Sequence, residues 1–261
     1  MGASFSSSQS FPGKPLAMVL GKPIVQHAYE EAARCDLLDM VVIATDDERI
    51  FQKCEALGEN AVVMVPSSCT SEFEFCHQAV NSLRAQCGIF DAVVRIPGDE
   101  MLMKAESIEA TIRAHASSTG EKPRGGVAMT VAIAPTPVSA DTNGKAEAFN
   151  HIANMTARIK VAMNVHGEAL YFSRNPIPSG NSGGGFHVSL GIACVDVPVL
   201  ELLAKPMPAS SLALREGIED VWPLELGFRV LCTVSDRVYR WHTVVAPHDV
   251  AVVESILRNA K

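Results

Sequence analysis

Two hydrophobic rhythms run along this chain, and one gives way to the other near its middle. In the first half, short apolar runs at residues 40–44, 61–65 and 92–96 are separated by longer stretches whose apolar residues recur every three to four positions. The short runs read as buried strands and the periodic stretches as helices covering them. Residues 48–57, 73–87 and 107–116 are the helices of this series. An earlier one opens at Pro23, whose fixed φ suits a first turn, with Ile24, Ala28, Ala32 and Cys35 near helical spacing. Strand, helix, strand, helix in this order predicts a parallel sheet, and ligands of such sheets collect at the carboxyl ends of the strands. The second half is richer in strand-like runs, at 127–134, 158–164, 169–173, 188–195 and 228–234. Helices are expected at 200–204 and at 219–227, where Pro223 is a complication, and an amphipathic helix at 248–258 closes the chain. Residues 1–10 and 176–185 are small, polar or glycine-rich and read as loops. With no clean linker in sight, the expectation is a single domain over 1–261 with an inserted β-rich subdomain around 125–195.

Composition narrows the class. Apolar residues make up 48% of the 261 positions and charged residues 20%, a balance that excludes a disordered chain. No apolar run approaches the roughly 18 residues of a membrane span. The net charge of −7 argues against a general nucleic-acid binder. Cysteines at 35, 54, 69, 76, 87, 194 and 232 include no C-x-x-C pair, so neither a disulfide framework nor a zinc ribbon is indicated and reduced thiols are expected. No apolar secretory core is visible. The expected location is cytoplasmic, or organellar in a eukaryotic host. The start Met1-Gly2-Ala3-Ser4-Phe5-Ser6 also matches the loose myristoylation pattern, against a plain serine-rich beginning.

Two places carry candidate chemistry. At Gly13-Lys14, a glycine lets backbone approach a phosphate and a lysine neutralises it, although the spacing alone equally describes a turn with a solvated lysine. The sequence contains neither a Walker loop nor a G-x-G-x-x-G. At Gly98-Asp99-Glu100, adjacent carboxylates follow a strand and could hold a hard cation through oxygen, or simply favour the start of a helix. Thr45 and Asp46 end another apolar run in the same way. The eight histidines show no metal spacing, and no G-x-S-x-G supports a hydrolase nucleophile.

The order of these pieces is informative. PGKPL (12–16), GKPIVQHAYEEA (21–32), VVIATDDERI (41–50), RIPGDEM (95–101), ALYFSRNPIP (169–178), SLGIA (189–193), FRVL (228–231) and VVAPHDVAVVESIL (244–257) succeed one another over residues 11–258. This series resembles the CMP-Kdo synthetases, the 3-deoxy-manno-octulosonate cytidylyltransferases. The resemblance implies an α/β three-layer sandwich with a mainly parallel sheet, of the nucleotide-diphospho-sugar transferase type. It implies transfer of CMP from CTP to Kdo or a related sugar acid with release of pyrophosphate, a Mg²⁺ cofactor and a homodimer. It makes Lys14 and Asp99 the catalytic pair, with Asp99 as metal ligand. Gly13, Thr45, Asp46, Gly98, Glu100, Ser173, Arg174 and His187 become substrate-binding candidates.

The departures from the family pattern fall on functional positions. The family's first strand has no counterpart in the sequence, and its two phosphate-binding arginines are Phe5 and Ser10. Its base-recognising arginine is Phe75, the glutamine before Gly98 is Pro97, and a His and a Tyr are Ser189 and Ala193. The second metal-binding aspartate is Val245. An alternative expectation follows: a catalytically inactive relative serving as a structural or regulatory subunit, with protein partners in a larger assembly. Between the two lies a transferase with a changed nucleotide or sugar, in which the Phe75 ring stacks on a base.

Overall fold

The computed structural model describes residues 1–3, 11–118, 126–136, 156, 158–179, 186–209, 211–235 and 244–259. The chain enters through a two-residue strand, β1 (Gly2–Ala3), then a short hairpin of β2 (Met18–Val19) and β3 (Lys22–Pro23), and the helix α1 (Ile24–Ala32). The alternation read from the first half follows as β4 (Ile43–Thr45), α2 (Glu48–Cys54), β5 (Val62–Met64), α3 (Glu72–Cys87), β6 (Ala92–Arg95) and α4 (Ala105–Ser118). Local chemistry fixes two of these starts. Asp47 accepts the Arg49 amide at the head of α2, and Ser71 accepts the Glu74 amide at the head of α3. The second half supplies the strands β7 (Val127–Pro135), β8 (Lys160–Met163), β9 (Ala169–Ser173), β10 (His187–Asp196) and β11 (Arg229–Val234). Its helices are α5 (Val197–Leu203), α6 (Leu212–Glu216), α7 (Val221–Glu225) and α8 (Asp249–Arg258). Pro223 is absorbed because it sits in the first turn of α7, where its missing N–H is not needed. Helix α6 is an element that the hydrophobic pattern does not announce.

The sheet joins parallel and antiparallel parts. β1, β4 and β5 pair in parallel, as do β7 and β11. β10 runs antiparallel to β6, β7 and β8, and β9 antiparallel to β8. Side chains of β7 alternate between two cores, as a strand buried on both faces must. Met129, Val131 and Ile133 face a cluster with Phe73, Val80, Phe172 and Leu200. Ala132 and Ala134 face the opposite one, with Ala32, Ile108 and Ile192. Helices therefore cover both sides, which makes the three-layer α/β sandwich. Burial holds the thiols of Cys54, Cys194 and Cys232 up at about 11, 12 and 12, so they act as packing groups.

The first strand, for which the sequence shows no counterpart, exists and is central. Gly2 and Ala3 lie beside Ala44 and Thr45 of β4, and Gly2 also bridges in parallel to Pro97, beyond the end of β6. The amide of Ala44 donates to the carbonyl of Met1 at 2.7 Å. Two residues thus join the three-stranded parallel sheet to the larger mixed one. The junction is tight: a Cβ at Gly98 would stand 2.6 Å from the carbonyl oxygen of Gly2. On the other side of the same turn, Gly191 has φ +75° and a Cβ there would meet Pro97 at 2.6 Å. Phe5, Ser10 and the triple glycine 183–185 lie outside the described residues.

Candidate active site

The site begins where β1, β4 and β6 end. Gly13 takes the left-handed conformation at the head of a short 3₁₀ turn, Lys14–Leu16. That turn swings the Lys14 side chain inward, where it is almost wholly buried. The solvated lysine that spacing alone allows is not what forms. Its ammonium makes a short ion pair with Asp99 and donates to the carbonyl of Val244 at 3.2 Å. Val244 stands just ahead of α8, in a cluster with Val19, Ile24, Met101, Leu102 and Val253. Asp249, at the head of α8, accepts the amides of Val245 and Ala246 at 2.9 and 2.8 Å and so fixes the segment that Lys14 touches. Residues 14, 99 and 244, distant in sequence, meet at one point.

The other strand-end candidates lie at the ends of β4 and β6, on either side of β1. Thr45 is fully buried and its hydroxyl accepts the Asp47 amide at 3.2 Å. Asp46 follows it and lies within electrostatic reach of Cys69, in the loop leading to α3. The glycine at 98 is explained by the close approach of β1. Glu100, next to Asp99, is buried, with Arg158 3.7 Å from its carboxylate.

Ser173 ends β9, Arg174 follows it and His187 opens β10, and both strands pair with β8. Lys160 is fully buried on β8, and its ammonium donates to the carbonyl of Arg174 at 2.8 Å. Burial, with the Arg174 charge adding to it, lowers the Lys160 pKa. The Arg174 guanidinium donates to the carbonyls of Thr156 and Gly217 at 3.0 and 3.2 Å, leaving its other N–H groups for a ligand. Glu216 receives the Tyr171 hydroxyl at 3.0 Å and lies 3.5 Å from the Ser173 hydroxyl. His187 begins β10 opposite Val161 of β8, and burial lowers its pKa.

A third constellation escapes sequence reasoning. Arg95, at the end of β6, is buried, and its guanidinium reaches Asp220 at 2.6 Å and Glu72 at 3.2 Å. The Phe73 ring lies under it at 5.4 Å. Glu219 takes the Glu72 amide on both carboxylate oxygens, at 2.9 and 2.8 Å. Burial, then the neighbouring Glu72 carboxylate, pushes Glu219 up to about 7. A strand reading AVVR gives no hint that its arginine meets acids more than 120 positions later; only the burial of a charged residue at a strand end could have flagged it.

As for a cation, no group of three His, Cys, Asp or Glu side chains among the described residues could cage one. Asp99 presents a carboxylate, one-third exposed, at the strand end. One carboxylate completed by phosphate oxygens and water is a donor set that suits Mg²⁺, so the residues present fit that ion as a companion of a nucleotide. No helix among the described residues is long and apolar enough to cross a membrane.

Comparison with known proteins agrees on one lineage. A family model described as Cytidylyltransferase matches residues 6–189. The 3-deoxy-manno-octulosonate cytidylyltransferase of Zea mays is 35% identical over 264 residues, covering 98% of this chain and 79% of that protein. The mitochondrial one of Arabidopsis thaliana is 31% identical, with 98% and 81% covered. That of Anaeromyxobacter sp. (strain Fw109-5) is 32% identical, with 96% and 92% covered. Among solved structures, a CMP:2-keto-3-deoxy-manno-octonic acid synthetase complexed with CTP shares the fold at a TM-score of 0.79 and 22% identity, over 100% of this chain and 97% of that one.

Proposed function

The chain belongs to the CMP-Kdo synthetase family of cytidylyltransferases, and from that premise we propose that it moves CMP from CTP to Kdo or a closely related sugar acid. In this reaction a sugar hydroxyl attacks the α-phosphorus of CTP. The new O–P bond forms as the bond from the α-phosphorus to the bridging oxygen breaks, pyrophosphate leaves with the electron pair, and the hydroxyl proton passes to solvent. Little covalent chemistry falls to the protein, so positioning and charge neutralisation are its tasks.

The observation that carries this reading is the buried Lys14 ammonium held beside Asp99 at the carboxyl end of the sheet. A lysine so placed offers N–H donors to a triphosphate, and the Gly13 backbone lets the phosphates come close. Asp99 is the residue to hold Mg²⁺, which when bound supplies positive charge to the phosphates and pyrophosphate. Thr45, Asp46 and Gly98 line the nucleotide side. Ser173, Arg174 and His187, with Glu100 behind them, line the sugar-acid side, where the remaining Arg174 N–H groups suit a carboxylate.

The alternative of an inactive subunit draws on missing family residues. Two of those positions, 5 and 10, lie outside the described residues, and no contact among the described residues favours that reading over the transferase.

The test is titration calorimetry of CTP with and without Mg²⁺, followed by an assay of Kdo-dependent pyrophosphate release. Mg²⁺-dependent binding together with turnover is the expected result. Absence of both overturns the proposal.

A further inference from the structure

Helix α6 is five residues long, too short to stand by itself, and it buries only Ala213 while Leu212 and Leu214 lie exposed. Carboxylates hold it at both ends instead. At its start, Glu225 of α7 accepts from the Ser211 hydroxyl and from the amides of Leu212 and Ala213, at 2.6, 2.8 and 2.9 Å. At its end, Glu216 accepts the Tyr171 hydroxyl at 3.0 Å and stands 3.5 Å from the Ser173 hydroxyl, so α6 is tied to β9. The next residue, Gly217, turns the chain in the left-handed conformation at φ +63°, and its carbonyl takes the Arg174 guanidinium at 3.2 Å. One dipeptide thus grips β9 with its side chain and Arg174 with its carbonyl. The backbone around Arg174 is also fixed. The Asn175 amide donates to the Ser173 hydroxyl at 3.2 Å, and the Arg174 carbonyl accepts from Lys160 at 2.8 Å.

We infer that Glu216 is a positioning residue for the sugar-acid side: by tying the end of α6 to Tyr171 and Ser173, it sets the Gly217 carbonyl that aims the Arg174 guanidinium. A free arginine side chain samples many rotamers. One already held by the carbonyls of Thr156 and Gly217 loses less freedom when a carboxylate arrives, and it meets that carboxylate in one orientation. Glu216 does this without touching the ligand, because its carboxylate is engaged by β9. Burial, then the bond to Glu216, raises the Tyr171 pKa, so that hydroxyl remains a donor to Glu216. The inference rests on the proposed transferase reading for the role of Arg174, and on the contacts above for the rest.

The experiment is steady-state pyrophosphate release by the full chain, with Kdo and CTP varied in turn. The variants are Glu216→Ala, Glu216→Gln, Arg174→Ala and the double variant of Glu216→Ala with Arg174→Ala. Glu216→Ala is expected to raise KM for Kdo about tenfold and to leave KM for CTP within about twofold of the wild type. Glu216→Gln keeps an oxygen for the Tyr171 hydroxyl and should stay within about threefold of the wild type. In the Arg174→Ala background, Glu216→Ala should add less than about twofold, because the group it positions is gone. An unchanged KM for Kdo in Glu216→Ala overturns the inference. So does an equal rise in KM for CTP, which marks a general loosening of the fold. A Glu216→Gln variant as impaired as the alanine one overturns it too, because the charge and not the tie would then matter. Full additivity with Arg174→Ala does the same. Should Glu216→Ala fail to fold, Glu216→Asp, whose carboxylate falls short of Tyr171, takes its place with the same expected directions. Turnover that ignores Glu216 keeps the proposed function and sinks the inference. No turnover in the wild type removes both.

Discussion

Two ion pairs stand at the ends of this sheet's strands, and they are built alike: Lys14 with Asp99, and Arg95 with Asp220. Both join residues far apart in sequence, and both bury the cation. They differ in the acid. Asp99 keeps a third of its surface in solvent, whereas Asp220 keeps 4%. Lys14 has a carbonyl as its second acceptor, while Arg95 is surrounded by Asp220, Glu72 and the Phe73 ring. The first pair can release its partners to a ligand that brings negative charge and a cation. The second cannot release anything without stranding a charge in the interior. Access to solvent, rather than charge, separates a site from a brace.

Breaking the brace should give the largest effect. Asp220→Ala leaves a buried guanidinium short of its main partner and should cost about 3–5 kcal/mol in chemical denaturation, whereas Asp99→Ala, which removes a carboxylate already one-third in solvent, should cost less. Equal losses would abolish the distinction. Next comes Lys14→Met, which should lower pyrophosphate release by about 10²–10³-fold with a smaller shift of melting temperature than Arg95→Met. A third effect lies in pH. Glu219 titrates higher in the folded chain than in the unfolded one, so its contribution to stability is complete below about 4.5 and is lost as pH rises through about 7. Glu219→Gln should therefore flatten melting temperature against pH across that window and melt above the wild type at pH 8. The smallest change sharpens the comparison from outside both pairs: Ser71→Ala, which removes the cap of α3, should cost about 1 kcal/mol and leave the pH profile in place.

The legible parts of the sequence were those that local physics decides. Apolar runs gave β4 to β7 to within a few residues, because a strand buried on both faces has little choice of composition. The pairing of Lys14 with Asp99 was foreshadowed only as two separate motifs, each with a bland reading. β1 stayed hidden because two small residues, Gly2 and Ala3, carry no periodicity; their strand is defined by Ala44 and Pro97 on either side. Gly98 reads in the sequence as part of a ligand motif, yet the approach of the Gly2 carbonyl already demands a glycine there. Arg95, Glu219 and Asp220 could not be read as a unit, since nothing local joins a strand end to the loop before α7. Arg174 was legible as a residue but not as a clamp, because its carbonyl partners carry no side-chain signature.

One feature of the mixed sheet bears on how the protein survives at high concentration. β9 does not end that sheet: Glu168 bridges to Leu231, and the amide of Cys232 donates to the carbonyl of Gly167 at 2.8 Å. The order β11, β7, β10, β8, β9 therefore returns to β11, with Arg229 and Glu168 paired across the seam. A sheet that stopped at β9 would offer a template of free N–H and C=O groups beside the exposed Leu170 and Val165. The closure consumes part of that template, and the charged seam disfavours an approaching strand. Opening it by Arg229→Ala should raise the rate of strand-to-strand aggregation, seen as thioflavin-positive turbidity, before it lowers the melting temperature.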